Sequence, residues 1–280
     1  MNHRPRKRFG QHWLTSETVL HQILAAAEIS KGDRILEIGP GTGLLTRWLI
    51  SLAESVVAVE IDRDLCSALR TKFQNSPNFF LIEGDILNLN LDNLGESLPD
   101  TPDWRTPNKV VANIPYYITG PILEKLLGTI AAPNPDAFDM IVLLVQKEVA
   151  MRLCAQSGSS NFGALSVRIQ YLADCELVCG VPPKAFTPPP AVESAVVKLR
   201  PRLIEPTVEA PQRLEALVKM GFNAKRKMLR NNLKNLIERD RLIEVLERLD
   251  LNPQARAEDL GVTDWIALSN HLSQGELSNR

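Results

Sequence analysis

Four stretches place polar groups where an apolar run stops. In "LEIGPGTGLLT" (36–46) glycines stand at 39, 41 and 43, between an apolar segment and an amphipathic one. A glycine turn lets backbone approach a ligand closely, and the start of the next helix offers N–H groups without helical partners. In "SVVAVEID" (55–62) Glu60 closes the run, where a carboxylate is able to accept both hydroxyls of a ribose. In "NFFLIEGD" (78–85) Asp85 closes it, an acceptor suited to an exocyclic amine. In "KVVANIP" (109–115) the carboxamide of Asn113 is followed by Ile114, Pro115 and Tyr116, and the proline stiffens the corner and removes a donor. Singly, each acid also reads as a helix or turn cap, and Asn-x-Pro as an ordinary turn. At successive strand ends they describe a site for a nucleoside-bearing ligand, because ligands of open α/β sheets bind at that edge.

The elements that must position these residues alternate. Strands are expected at 33–39, 55–62, 78–85, 109–115 and 138–146, with helices at 42–52 and 63–73; Leu65, Leu69 and Phe73 supply the apolar face of the second helix. That alternation predicts an α/β fold with a mostly parallel sheet covered on both faces. Two further strands, 175–181 and 191–199, flank the proline-rich "PPKAFTPPPA" and are expected as an antiparallel C-terminal pair. Phe186 in that loop is either an aromatic platform held by Pro188 to Pro190 or a hydrophobic plug. Residues 93–108 read as a surface insertion and 201–211 as a linker. Beyond the linker, "QRLEALVKMGF", "KRKMLRNNLKNLI", "DRLIEVLERLDL" and "TDWIALSNHLSQ" carry helical periodicity. The expected division is therefore a sheet domain over 1–205 and a small all-α domain over 206–280.

Composition narrows the class. The chain has 280 residues, 44% hydrophobic and 23% charged, which suits a globular protein with a sizeable core. Its longest apolar run, Met140 to Val145, is far too short to cross a bilayer, and no membrane association is expected. The N-terminus is basic without the apolar centre of a signal peptide, so a cytoplasmic protein is expected. Cys66, Cys154, Cys175 and Cys179 form no CxxC pair, and no metal site is expected. Net charge is −1, but Arg4, Arg6, Lys7 and Arg8 form one acid-free basic patch, and Lys219, Lys225, Arg226, Lys227, Arg230 and Lys234 form another. Such patches suit a phosphate backbone, or simply a flexible tail and a solvated helix face.

With Glu37 in front, the glycine loop reads ExGxGxG. It resembles the S-adenosylmethionine loop of class I methyltransferases and departs from the GxGxxG of dinucleotide sites. "NIPY" resembles the [D/N]PPY-type motif of adenine amino-methyltransferases. Adenine's exocyclic amine is a poor nucleophile, because its lone pair is delocalised into the ring. The Asn113 side-chain oxygen and the Ile114 carbonyl would accept its N–H bonds, and Tyr116 would stack on the base. A flipped base between Tyr116 and Phe186 is the expected arrangement.

In order, "KRFGQHWL", "LEIGPGTGLLT", "VVAVEID", "EGDIL", "VANIPYYIT", "FTPPPAVESAVVKL" and "FNAKRKMLRNNL" resemble the small-subunit ribosomal RNA adenine dimethyltransferase family along nearly the whole chain. The resemblance implies a Rossmann-like class I methyltransferase domain joined to a small helical domain. It implies dimethylation of two adjacent adenosines near the 3′ end of small-subunit rRNA, late in subunit assembly, with S-adenosylmethionine as donor and no metal. The cofactor contacts it implies are His12, Leu14, Gly39, Glu60, Asp85 and Asn113. The catalytic corner would be Asn113, Ile114, Pro115 and Tyr116, with Phe186 assisting, and Lys225, Arg226, Lys227 and Arg230 would meet RNA. The partner would be rRNA in a partly assembled subunit, and the protein a monomer. Departures from the family pattern are His12 and Trp13 in place of the usual "FGQNFL" residues, and Ile114 and Tyr117 where Leu and Asn are frequent. A large-subunit rRNA adenine methyltransferase, a non-catalytic assembly factor and a dinucleotide dehydrogenase stand as alternatives; the last lacks its loop spacing and any evident hydride-site acid or base.

Overall fold

The structure, a computed structural model, describes residues 6, 10–91, 94, 106–134, 138–202 and 205–277, with side chains to residue 273. Its strands are β1 Trp13–Leu14, β2 Arg34–Ile38, β3 Ser55–Glu60, β4 Phe79–Glu83, β5 Lys109–Asn113, β6 Met140–Gln146, β7 Ala173–Val181, β8 Phe186–Thr187 and β9 Ser194–Pro201. Its helices are α1 Glu17–Ala27, α2 Leu44–Leu52, α3 Arg63–Lys72, α4 Thr119–Leu127, α5 Lys147–Leu153, α6 Ala164–Leu172, α7 Pro211–Gly221, α8 Leu229–Asn232, α9 Arg239–Arg248 and α10 Val262–Leu277.

Seven strands form one sheet in the order β4-β3-β2-β5-β6-β9-β7. Strands β4, β3, β2, β5 and β6 run parallel, and β9 is antiparallel to β6. The chain leaves β2 for β3 on one side and returns to β5 on the other. The crevice at that reversal lies between the end of β2 and the end of β5. The central strands read as unbroken apolar runs because both faces are covered: every residue of β3 is buried, and so are all of β6 except Gln146. Each such Val, Ile or Leu contributes about 1.5–3 kcal/mol of burial. Helix α3 follows its sequence pattern, with Asp62 capping it through the Asp64 N–H at 3.1 Å and Leu65 and Leu69 facing inward. Helix α1, absent from the sequence expectation, is capped by Ser16 and buries Val19, Leu20 and Ile23.

Contacts divide the chain into two compact units. One holds residues 1–126, 136–150 and 176–201; the other holds 127–135, 151–175 and 202–280. The second is helical but not contiguous. Its core joins Phe162 and Val167 to Leu214, Leu229, Leu246 and Trp265, so α6 belongs with the tail helices rather than with the expected 1–205 segment. "KRKMLRNNLKNLI" is not one helix: residues 223–228 turn, and only Leu229–Asn232 is α-helical. Asn232 Nδ2 donates to the Gly221 and Ala224 carbonyls, the latter at 3.1 Å, and ties that turn down. Of the 93–108 segment, Leu94 and residues 106–108 are described; the rest lies outside the described residues, as do Arg4, Lys7 and Arg8.

Candidate active site

Gly39, Gly41 and Gly43 all adopt positive φ (67°, 60° and 76°), so the loop after β2 is a left-handed turn that L side chains enter only under strain. A Cβ on Gly41 would stand 3.1 Å from Trp13 Cδ1, and one on Gly43 2.8 Å from Phe73 Cε2. Glycine at these positions keeps backbone at the cavity wall and lets α2 begin against α3.

Glu60 is buried at the end of β3. Its carboxylate accepts from the Gly41 N–H at 3.2 Å and the Asp62 N–H at 2.9 Å. Burial pushes its pKa up, against the pull of those two N–H bonds. Glu37, behind the loop, is fully buried. Burial lifts it to about 8, with Glu60's charge adding to the rise and Thr46 and Lys72 opposing it. Asp85 caps the following 3-10 turn through the Leu87 N–H at 3.0 Å and also lines the cavity. Asp62 caps α3 and binds Arg6 Nη1 at 2.8 Å and Gln11 Nε2 at 3.0 Å. Arg6 also pairs with Asp64, so this member of the basic N-terminal patch is engaged by acids.

Asn113 ends β5 across the crevice from Gly39. Its Nδ2 donates to the His12 carbonyl at 3.0 Å. A carbonyl only accepts, so the amide nitrogen is the atom turned toward His12, and Oδ1 is left as the acceptor of this cavity-lining side chain. Pro115 (φ −62°) leads into a 3-10 turn, Tyr116–Ile118. The Tyr116 hydroxyl meets Ser194 Oγ at 2.5 Å, which holds the half-buried ring in place, and burial raises its pKa.

One expected residue lies in the core. Phe186 is 3% exposed and packs in the core with Leu14, Val181 and Ala185. Strand β8 pairs with β1 in the register Leu14↔Phe186, and alternation along that short ladder turns both side chains inward. The plug reading of Phe186 therefore describes this structure. The ring nearly parallel to Tyr116 is instead His12, 6.1 Å away between centroids at 16°. His12 Nδ1 donates to the Pro188 carbonyl at 2.8 Å, bridging the N-terminal segment and the proline loop. Leu14 contributes its side chain to the core, while Gly10, Gln11, His12 and Trp13 line the cavity. Trp13, Tyr117 and Ser194 are among the residues at the site to which no motif gave a role; a small polar residue opening an apolar strand was the one signal for Ser194. Among the described residues no three His, Cys, Asp or Glu side chains converge as a metal site requires.

In the helical unit Lys225, Arg226 and Lys227 are exposed, and Lys225 Nζ donates to the Ser160 carbonyl. Arg230 is half-buried with Nη1 3.5 Å from the Pro253 carbonyl.

A seven-stranded sheet with one reversed strand, a glycine loop after its first parallel strand and an Asn-x-Pro-Tyr corner across the switch point define a class I methyltransferase. Within that class the chain belongs to the ribosomal RNA adenine dimethylase family, whose model matches residues 2–274. A relative in Nostoc sp., ribosomal RNA small subunit methyltransferase A, is 62% identical over 269 residues, covering 96% of this chain and 98% of its own. The crystal structure of a dimethyladenosine transferase from Plasmodium falciparum superposes with a TM-score of 0.78 at 28% identity, over 95% of this chain and 98% of that one. That of the 23S rRNA methyltransferase ErmE gives 0.71 at 28% identity, over 94% and 100%.

Proposed function

We propose that the protein transfers methyl groups from S-adenosylmethionine to the exocyclic amines of two adjacent adenosines near the 3′ end of small-subunit rRNA. It acts as a cytoplasmic monomer on a partly assembled subunit, late in assembly. The observation that carries this reading is the orientation of Asn113: its nitrogen is occupied by the His12 carbonyl, which leaves its oxygen as an acceptor at the cavity wall.

The residues present fit the donor. Bare backbone at Gly39 and Gly41 leaves room that a Cβ would fill, beside Trp13 at Gly41. Glu60 is suited to the ribose hydroxyls and Asp85 to the adenine amine, both at the cavity wall. His12 and Leu14 lie on the segment that crosses the same crevice, Leu14 offering backbone only. When bound, S-adenosylmethionine supplies an electrophilic methyl on a sulfonium.

The chain's own part is positioning. Asn113 Oδ1 and the Ile114 carbonyl accept the N–H bonds the amine carries, two in the first transfer and one in the second, and favour a pyramidal nitrogen with its lone pair localised. Pro115 restricts where that carbonyl points. Tyr116, anchored through Ser194, supplies a stacking face. A fixed near-attack geometry accounts for most of the acceleration such a site needs. The amine becomes acidic only on alkylation and then loses its proton to water, so no side-chain base is required. Exposed Lys225, Arg226 and Lys227 hold RNA phosphates.

The test is methyl transfer by purified protein to isolated small-subunit particles, naked small-subunit rRNA and naked large-subunit rRNA, with the product nucleoside mapped. Dimethyladenosine at two adjacent small-subunit positions, formed best on particles, supports the reading. Transfer to large-subunit RNA alone, or binding to particles without transfer, overturns it.

A further inference from the structure

No hydrogen bond or ring contact of the Tyr117 side chain is found among the described residues. It is 62% exposed, the most exposed large apolar side chain among the described residues. It follows Tyr116 on the same 3-10 turn and lines the same cavity. The two rings divide their roles by chain position: Tyr116 is held inward by Ser194, and Tyr117 stands at the rim. Gly10, at φ +57°, lies beside one flank of the Tyr117 ring: a Cβ added there would stand 3.4 Å from both Cδ1 and Cε1. Most of the residue's surface is open.

We propose that Tyr117 is a stacking platform for the nucleotide next to the adenosine being methylated. This rests on the reading of the cavity given above. Extruding a base strips its neighbour of one stacking partner, which costs part of the substrate's own stability. An aromatic face at the rim replaces that partner, and base–aromatic stacking is tolerant of base identity because every base has a π-face. Tolerance matters for a target of two adjacent adenosines. In one register the neighbour is an unmodified adenine, and in the other it is already dimethylated. A dimethylated amine has lost its Watson–Crick donor but keeps its π-face, so the same ring serves both registers without a hydrogen-bonding group.

The experiment compares wild type with Tyr117→Ala and Tyr117→Phe on small-subunit particles reconstituted with rRNA whose neighbouring nucleotide is adenosine or abasic. Cofactor affinity is followed alongside by calorimetry. On adenosine-bearing particles Tyr117→Ala raises the particle KM roughly 5- to 150-fold, the range that one base–aromatic stack supplies. Cofactor Kd stays constant, Tyr117→Phe behaves as wild type, and the abasic neighbour removes the difference between Ala and wild type. Equal KM values for Ala and wild type, or a difference that survives the abasic substitution, overturn the inference while leaving the cavity reading in place. Wild-type protein that transfers no methyl group to any particle overturns the cavity reading itself, and this inference with it.

Discussion

Asn113 carries two separable duties, and two substitutions part them. Its nitrogen ties the N-terminal segment to the end of β5 through a 3.0 Å bond to the His12 carbonyl, and its oxygen is the proposed acceptor for the target amine. Asn113→Asp keeps an acceptor but sets a carboxylate oxygen against a carbonyl oxygen. The tie is lost and the His12 carbonyl is left facing a like partner, at a cost of about 1–3 kcal/mol. That is a fall of roughly 2–10 °C in Tm for a chain of this size. Asn113→Ala removes both duties. The loss of a preorganised polar group that acts on the reacting atoms is worth about 10²–10³ in rate. Single-turnover methyl transfer to small-subunit particles measures the chemical step, and thermal unfolding measures the tie. The expected pattern is a roughly 10²–10³-fold slower step with a lowered Tm for Ala, and a smaller rate loss with a lowered Tm for Asp. An Ala variant that transfers at the wild-type single-turnover rate refutes the amine-acceptor role. An Asp variant as stable as wild type refutes the tie.

Gly43→Ala combines a left-handed backbone, about 1–2 kcal/mol, with a Cβ 2.8 Å from Phe73 and 2.9 Å from Leu69, another 1–3 kcal/mol or so of overpacking; urea denaturation should show a drop of about 2–5 kcal/mol. Glu37 titrates near 8 when folded against an ordinary 4.5, so the folded chain keeps a proton that the unfolded chain releases, and its contribution to stability falls as pH rises through that window. Glu37→Gln is therefore expected to raise Tm relative to wild type most above pH 8, with the gain shrinking toward pH 5; a gain independent of pH would contradict the buried proton. Reversing Lys225, Arg226 and Lys227 to Glu should weaken particle binding, flatten its log–log salt dependence by about 2–3, and leave cofactor affinity alone. Unchanged salt dependence would show that face to be merely solvated.

The strand ends were legible because buried parallel strands read as short unbroken apolar runs. The polar residue that stops each run then sits at the ligand edge: Glu60, Asp85 and Asn113 all line the cavity. The glycine loop was legible for a related reason, since three positive-φ positions in five residues admit little else. What escaped depends on pairs far apart in sequence. The Asn113–His12 tie spans 101 residues, and the β1–β8 ladder that buries Phe186 joins segments more than 170 apart, neither leaving a local period. The turn inside 225–237 escaped because helix-forming residues there yield to tertiary bonds, Asn232 Nδ2 to Gly221 and Ala224 above all. Helix α6 has no counterpart among the expected elements, and its packing with Trp265 and Leu214 in one core assigns it to the helical unit.

In the proposed reaction Asn113 holds the amine of an rRNA adenosine for methyl transfer. Mass spectrometry of small-subunit rRNA from cells lacking this protein, complemented with wild type or with Asn113→Ala, decides whether it does. Two adjacent dimethyladenosines restored by wild type and missing with the Ala variant, at matched protein levels, are the predicted result. Full dimethylation in the deletion strain, or in the Ala-complemented strain, would contradict it.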